Sequence, residues 1–241
     1  LDQMASQGLR DQLGGGFYRY AVDPGWQVPH FEKMLYDQAL IACAYLEAYQ
    51  ITKDPLLAAT AEDIFTYVLR DMTAAEGAFY SAEDADSEGE EGKYYVWHLD
   101  EFKQVLNAEQ AAKWEKIFNL QPEGNFAEEA TRQKTGANIL HLDRHLSQSA
   151  AEYNLAPEVL TAQWENVRQK LYAHRQKRIH PLKDDKILVD WNGLMIAAFS
   201  QGARILNKPE YAQAAENSAQ FILTRMLTDD GRLQQQIANP R

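Results

Sequence analysis

The stretch GGGFYRYAVDPGWQVPHFEKMLYD at positions 14–37 holds the densest set of residues able to do chemistry. Between its three glycines and the apolar pattern that follows come Arg19, Asp23, Trp26 and His30, then Glu32, Lys33, Tyr36 and Asp37. Aromatic planes beside carboxylates, an arginine and an imidazole suit a pocket for a sugar or another polyol. Rings cover the apolar faces of such a ligand, while charged groups bind hydroxyls or move protons. Imidazole titrates near neutrality, which makes His30 a candidate general acid or base. A spacing of seven predicts that His30 and Asp37 share one helix face, two turns apart. The same polar residues could instead do no more than cap the helix and tie down the turn. The glycines do not make a dinucleotide site, because no strand–helix–strand pattern follows them.

A second cluster is EDADSEG, positions 83–89. Asp84 or Asp86 could serve as the second proton carrier beside His30, with Glu83 on the rim of the same pocket. Two carboxylates with separated pKa values would suit hydrolysis instead. The stretch also mimics the start of a calcium loop, but Tyr95 stands where the bidentate glutamate belongs. A plain solvated turn stays open, above all for residues 88–91. The third cluster is Asp190, Trp191 and Asn192, which opens an apolar helix where Asp37 opens another. Asp190 reads equally as a helix cap or a ligand group, and Trp191 as core or as a stacking platform. His141 and His145 have a metal-pair spacing but no third ligand, and Cys43 sits in an apolar helix where nothing would activate it. No metal and no cofactor are expected.

The elements that must position these residues repeat. At a constant offset of 154, Leu40 matches Leu194, Ala44 matches Ala198, Pro55 matches Pro209, Glu62 matches Glu216, Met72 matches Met226 and Gly77 matches Gly231. Each copy holds an apolar helix, a break before a proline, an amphipathic helix and a glycine-led turn. That turn recurs earlier, GGFY at 15–18 against GAFY at 77–80. Such units bury their faces only against neighbours. The pattern predicts inner helices over 29–52 and 187–206, and outer helices over 54–71 and 209–226. It also predicts one or two helices in 100–118, a loop over 121–136, a helix over 157–177 and a short β-hairpin from 79–82 and 94–97. The first thirteen residues read as the last turns of a helix. Both ends look cut, so a fragment is expected. The fold class expected is all-α, a ring of inner helices inside a ring of outer helices, in one domain over 1–241.

Composition narrows the function classes. Of 241 residues, 24 are Lys or Arg and 35 Asp or Glu, a formal charge of −11. That balance argues against a nucleic-acid or anionic-membrane surface. A single cysteine excludes an internal disulfide and points to a reducing, cytoplasmic compartment.

GGGFYRYAVDPGWQVPHFEKMLYDQA, FYSAEDADSEGEEGKYYVW and DDKILVDWNGLMIAA together resemble the thioredoxin-fused, DUF255-type family. The resemblance implies an N-terminal thioredoxin-like domain, absent from this chain, followed by an (α/α)6 toroid. By the resemblance this chain is a partial (α/α)6 toroid of helical hairpins with short β-hairpins at one end, similar to N-acylglucosamine 2-epimerases and six-hairpin glycosidases. It implies no settled reaction.

The reading drawn from residues and resemblance together is a sugar epimerase or isomerase type of domain. His30 and Asp84 or Asp86 would exchange protons, Arg19 would hold an anionic or hydroxyl group, and Trp26 and Trp191 would stack on the ring. Asp23, Glu32, Tyr36, Asp37, Glu83, Asp190 and Asn192 would complete the binding site. A glycoside hydrolase and a non-catalytic module that selects a ligand or client for a thioredoxin-like domain are the alternatives. The expected partners are a small sugar-like ligand, that thioredoxin-like domain and further copies of the chain, without nucleic acid or membrane.

Overall fold

The computed structural model of the protein describes residues 1–127 and 133–237. Its helices are α1 (Asp2–Ser6), α2 (Leu35–Thr52), α3 (Pro55–Asp71), α4 (Leu99–Val105), α5 (Ala108–Ile117), α6 (Leu146–Ser149), α7 (Pro157–Arg175), α8 (Val189–Leu206) and α9 (Pro209–Arg225). Residues form two compact units. The first is Leu1–Gly14, Tyr20–Phe31 and Ala85–Pro181; the second is Gly15–Arg19, Glu32–Asp84 and the chain from Leu182 onward. Among the described residues, no helix is long and apolar enough to cross a membrane.

The second unit realises the repeat residue for residue. The offset of 154 carries α2 onto α8 and α3 onto α9 end to end. It also carries the strand Lys33–Met34 onto Ile187–Leu188 and Ala82–Glu83 onto Gln236–Ile237, in the same antiparallel register. Each inner helix stops at a left-handed residue, Lys53 or Asn207, and the outer helix restarts on a proline whose missing N–H leaves nothing unsatisfied. Asp54 caps α3 by accepting from the Leu56 N–H at 3.0 Å. Helix α2 packs on both α3 and α8, and α8 on α9. The chain is all-α in class, and this unit is built of stacked helical hairpins.

One buried amide per inner helix locks each glycine-led turn. Gln38 in α2 accepts from the Phe17 N–H at 2.9 Å and donates to the Phe17 carbonyl at 2.7 Å. Asn192, its counterpart in α8, does the same to Phe79, at 2.8 and 2.9 Å, donates to the Leu188 carbonyl and accepts from the Ser218 hydroxyl. Both amides are fully buried. Asn192→Ala would strand the Phe79 N–H and carbonyl, so it should lower stability by about 3 kcal/mol and Tm by roughly 10 °C. A thermal melt within 2 °C of the parent, on the order of instrument scatter, would refute the lock.

The inner helix starts at Leu35, not at position 29. Pro29–His30 pairs with Tyr20–Ala21, and Lys33–Met34 pairs with Ala82–Glu83. These two ladders, one local and one long-range, keep 29–30 and 33–34 extended, and the Leu35 N–H donates to the Ser81 carbonyl in place of a side-chain cap. His30 and Asp37 therefore do not share a helix face. The strand Ala82–Glu83 lies between Lys33–Met34 and Lys183–Asp184.

In the first unit the expected hairpin is also redrawn. Trp97–His98 pairs with Ala137–Asn138, and the acidic stretch forms its own hairpin, Asp86–Ser87 against Glu90–Glu91. Positive φ at Glu88 and Gly89 closes it with a two-residue turn whose twist suits the strands. Helix α1 ends early because the Gln12 side-chain amide donates to the carbonyls of Ala5, Ser6 and Gln7. The region 100–118 resolves into α4 and α5, which with α7 enclose Trp97, Phe102, Trp114, Phe118, Leu160 and Leu171. Of the loop expected over 121–136, residues 128–132 lie outside the described residues.

Candidate functional site

The candidate residues of the second unit gather around the start of α2. Arg19 ends the Gly15–Arg19 segment, and its backbone N–H donates to the Glu32 carbonyl at 2.8 Å. Its guanidinium donates from Nε to the Tyr36 hydroxyl at 3.1 Å and from Nη1 to Glu32 Oε2 at 2.9 Å. Those two bonds, Tyr36 first, raise its pKa further above the usual range. Tyr36 meets Trp191 edge to face, with ring centroids 4.8 Å apart at 73°. Both rings are half-buried.

Asp37 is the unusual member. Its Oδ2 is buried with no hydrogen-bond partner. Burial pushes its pKa up to about 6; the Arg19 charge opposes that rise and the Glu32 charge adds to it. A carboxyl pushed this close to neutrality, within the field of the Arg19 charge, can both release and take up a proton at working pH.

The other expected residues of this unit have different surroundings. Asp190 is exposed, in the first turn of α8, and accepts from the Trp191 N–H. Asn192 is committed to the Phe79 lock. Glu83 is buried and accepts from the Tyr67 hydroxyl at 3.1 Å. Asp84 is exposed, and its N–H donates to the Leu182 carbonyl.

In the first unit, His30 Nδ1 lies 2.7 Å from Glu91 Oε1, which also accepts from the Phe31 N–H. The imidazole stacks on Tyr20, centroids 5.0 Å apart at 24°. Such a carboxylate fixes the ring's orientation and tautomer. Asp86 is exposed and stands opposite Glu91 in the acidic hairpin. Asp23 is spent on the backbone: its two oxygens accept from the Gly25 and Val28 N–H groups at 2.8 and 2.6 Å. It thereby shapes the turn on which Trp26 sits at φ 61°. Glu91 and Tyr20 escaped the sequence reading. Glu91 lies among solvated acids, and Tyr20 is brought to His30 only by the pairing of their strands. Among the described residues, no three His, Cys, Asp or Glu side chains are placed to hold a metal ion.

Fold and site together define an all-α, helical-hairpin protein with a carboxyl–guanidinium–aromatic cluster at the mouth of an inner helix. The chain is similar to proteins named spermatogenesis-associated protein 20. The human protein of that name is 36% identical over 97% of this chain and the rat protein 35% identical over the same share. A Caenorhabditis elegans protein is 29% identical over 98%. The chain spans about a third of these relatives: 32% of the two mammalian proteins and 35% of the nematode one. No protein-family model matches the sequence. Solved structures it resembles include a D-mannose isomerase, 14% identical at a TM-score of 0.31, over 93% of this chain and 50% of that one. A cellobiose 2-epimerase from Bacillus thermoamylovorans is also 14% identical, at 0.29, over 96% of this chain and 70% of that one.

Proposed function

We propose that this chain carries a sugar epimerase or isomerase type of site that works by acid–base chemistry. The observation that supports this most is Asp37, a half-buried carboxyl whose pKa burial pushes up to about 6, under the charge of an Arg19 that is bonded to Tyr36, which in turn meets Trp191. The Asp37 carboxylate would take the proton from the carbon next to a sugar carbonyl, leaving an enediolate; after exchange with solvent a proton would return to that carbon, or to its neighbour with the hydroxyl proton passing between the two oxygens. Such a step balances without an external oxidant or reductant. Arg19, held by Glu32 and Tyr36, would hold the oxygen on which negative charge grows. The faces of Trp191 and Tyr36 would cover the apolar side of the ring.

His30 with Glu91 is the imidazole–carboxylate couple of the first unit and keeps its proposed acid–base role there. Asp84 and Asp86 remain candidates for a second proton carrier, and Trp26, Glu32 and Asp190 for ligand contacts, while Asp23 and Glu83 are used within the fold. A thioredoxin-like domain in the remaining length of the full proteins, and self-association, are proposed partners.

The test is a panel of aldoses, ketoses and N-acylhexosamines in deuterated water, read by NMR for deuterium at the carbon beside the carbonyl. Incorporation by the wild type, cut about 100-fold or more by Asp37→Asn, is the expected result. Turnover that survives both Asp37→Asn and His30→Asn would remove the mechanism. Sugar binding with no turnover at all would make the chain a binding module instead.

A further inference from the structure

The repeat in the second unit offers one backbone with two different interiors. Lys33, Tyr67 and Glu83 map at the offset of 154 onto Ile187, Phe221 and Ile237. Lys33 stands opposite Glu83 in one ladder, as Ile187 stands opposite Ile237 in the other. In the second copy these three apolar residues pack together with Ala78, Ile222 and Met226. In the first copy Lys33 is 1% exposed, and its ammonium donates to the Gly15 carbonyl at 3.0 Å. It lies over the rings of Tyr67, 4.4 Å away, and Tyr18, 5.1 Å away, while the Tyr67 hydroxyl donates to Glu83. An all-apolar filling thus suffices for this backbone. Burying an ammonium and a carboxyl in the same place carries a desolvation cost that the fold does not require.

What Lys33 holds suggests the reason. Gly15 heads the segment that ends in Arg19, and Gln38 fixes Phe17 in the middle of the same segment. The matching segment of the second copy, Gly77 to Ser81, has Ser81 in the place of Arg19. Asp190 and Trp191 stand there in place of Tyr36 and Asp37. The polar interior and the Arg–Tyr–Asp cluster occur in the same copy, and the other copy has neither.

We infer that Lys33, Tyr67 and Glu83 are positioning residues, which fix the Gly15–Arg19 segment so that the Arg19 guanidinium stays on Tyr36 and beside Asp37. The purpose of this arrangement rests on the function proposed above; its test does not, because the readouts need no substrate. The variant Lys33→Ile/Tyr67→Phe/Glu83→Ile transplants the second copy's residues into the first. Its thermal unfolding, the hydrogen exchange of the Arg19 Nε–H and the carbon-NMR titration of the Asp37 carboxyl are compared with wild type. The expected outcome is cooperative unfolding with Tm unchanged or higher, and Arg19 Nε–H exchange about tenfold faster. The Asp37 midpoint should rise as the Arg19 charge withdraws from it. Tyr67→Phe removes only the hydroxyl and should move both signals the same way by less. Unchanged Arg19 and Asp37 signals in both variants, or loss of cooperative folding in the triple variant, would overturn the inference. Absence of turnover on every sugar would sink the proposed function and leave these results standing.

Discussion

Asp37→Asn should stabilise the protein above pH 6 while removing its capacity to move a proton at that position. The folded-state pKa of Asp37 is raised from 3.8 to about 6, burial being the main cause. The folded protein therefore holds this proton more tightly than the unfolded chain does. The stability it confers is present in full below the unfolded value and is lost as pH rises through 6. Discounted for partial exposure and solvent screening, the loss is about 1 kcal/mol, or roughly 2–4 °C in Tm. A neutral amide does not titrate, so the variant should lack this slope between pH 4 and 7. It should also melt above wild type at pH 7.5. Thermal melts across that range check the sign: a variant less stable than wild type at pH 7.5 would mean that the ionised carboxylate has a stabilising partner. The gain in stability and the loss in chemistry share one cause, a carboxylate kept where water cannot solvate it well.

The long-period part of this architecture was readable from sequence because a repeat compares the chain with itself. Leu40 with Leu194 and Pro55 with Pro209 fixed an offset that the helices follow end to end. Two-residue strands carry no such signal. Pro29–His30 is extended because it pairs back on Tyr20–Ala21, and Lys33–Met34 because Ala82–Glu83, far along the chain, pairs with it, so helical periodicity ran over them and put His30 on the wrong element. The same blindness joined residues 79–82 to 94–97, although Trp97–His98 finds its partner forty residues on, at Ala137–Asn138.

Within the candidate site, residue type pointed to Arg19, Tyr36, Asp37 and Trp191, which the structure gathers at the heads of α2 and α8. Type alone could not separate Asn192, whose amide is used up by Phe79, from an amide that faces a ligand. Nor could it single out Glu91 from Glu88 and Glu90, since only the 2.7 Å approach to His30 distinguishes it.

Arg175→Met should be the most damaging single change in the first unit. Arg175 closes α7, and its guanidinium forms two parallel bonds to Asp11, Nη1 to Oδ1 at 2.8 Å and Nη2 to Oδ2 at 2.7 Å. Both side chains are almost fully buried. The guanidinium also lies near the rings of Tyr94, Tyr95 and Tyr172, at 5.1, 5.4 and 5.7 Å. Methionine fills similar volume but leaves the Asp11 charge buried without its counter-ion, which costs about 3–5 kcal/mol and roughly 10 °C in Tm. Lysine keeps the charge but not the fork, so Arg175→Lys should fall between. Glycine is required at position 14 for the same reason: a Cβ there would meet Arg175 Nη2 and Asp11 Oδ2. Removing both charges, Asp11→Leu with Arg175→Met, should recover only part of the loss. Asp11 Oδ1 also accepts from the Leu13 and Gly14 N–H groups at 3.0 Å, and leucine cannot. A urea-unfolding double-mutant cycle measures that remainder. A loss under about 1 kcal/mol for Arg175→Met would mean that the pair is hydrated and holds nothing.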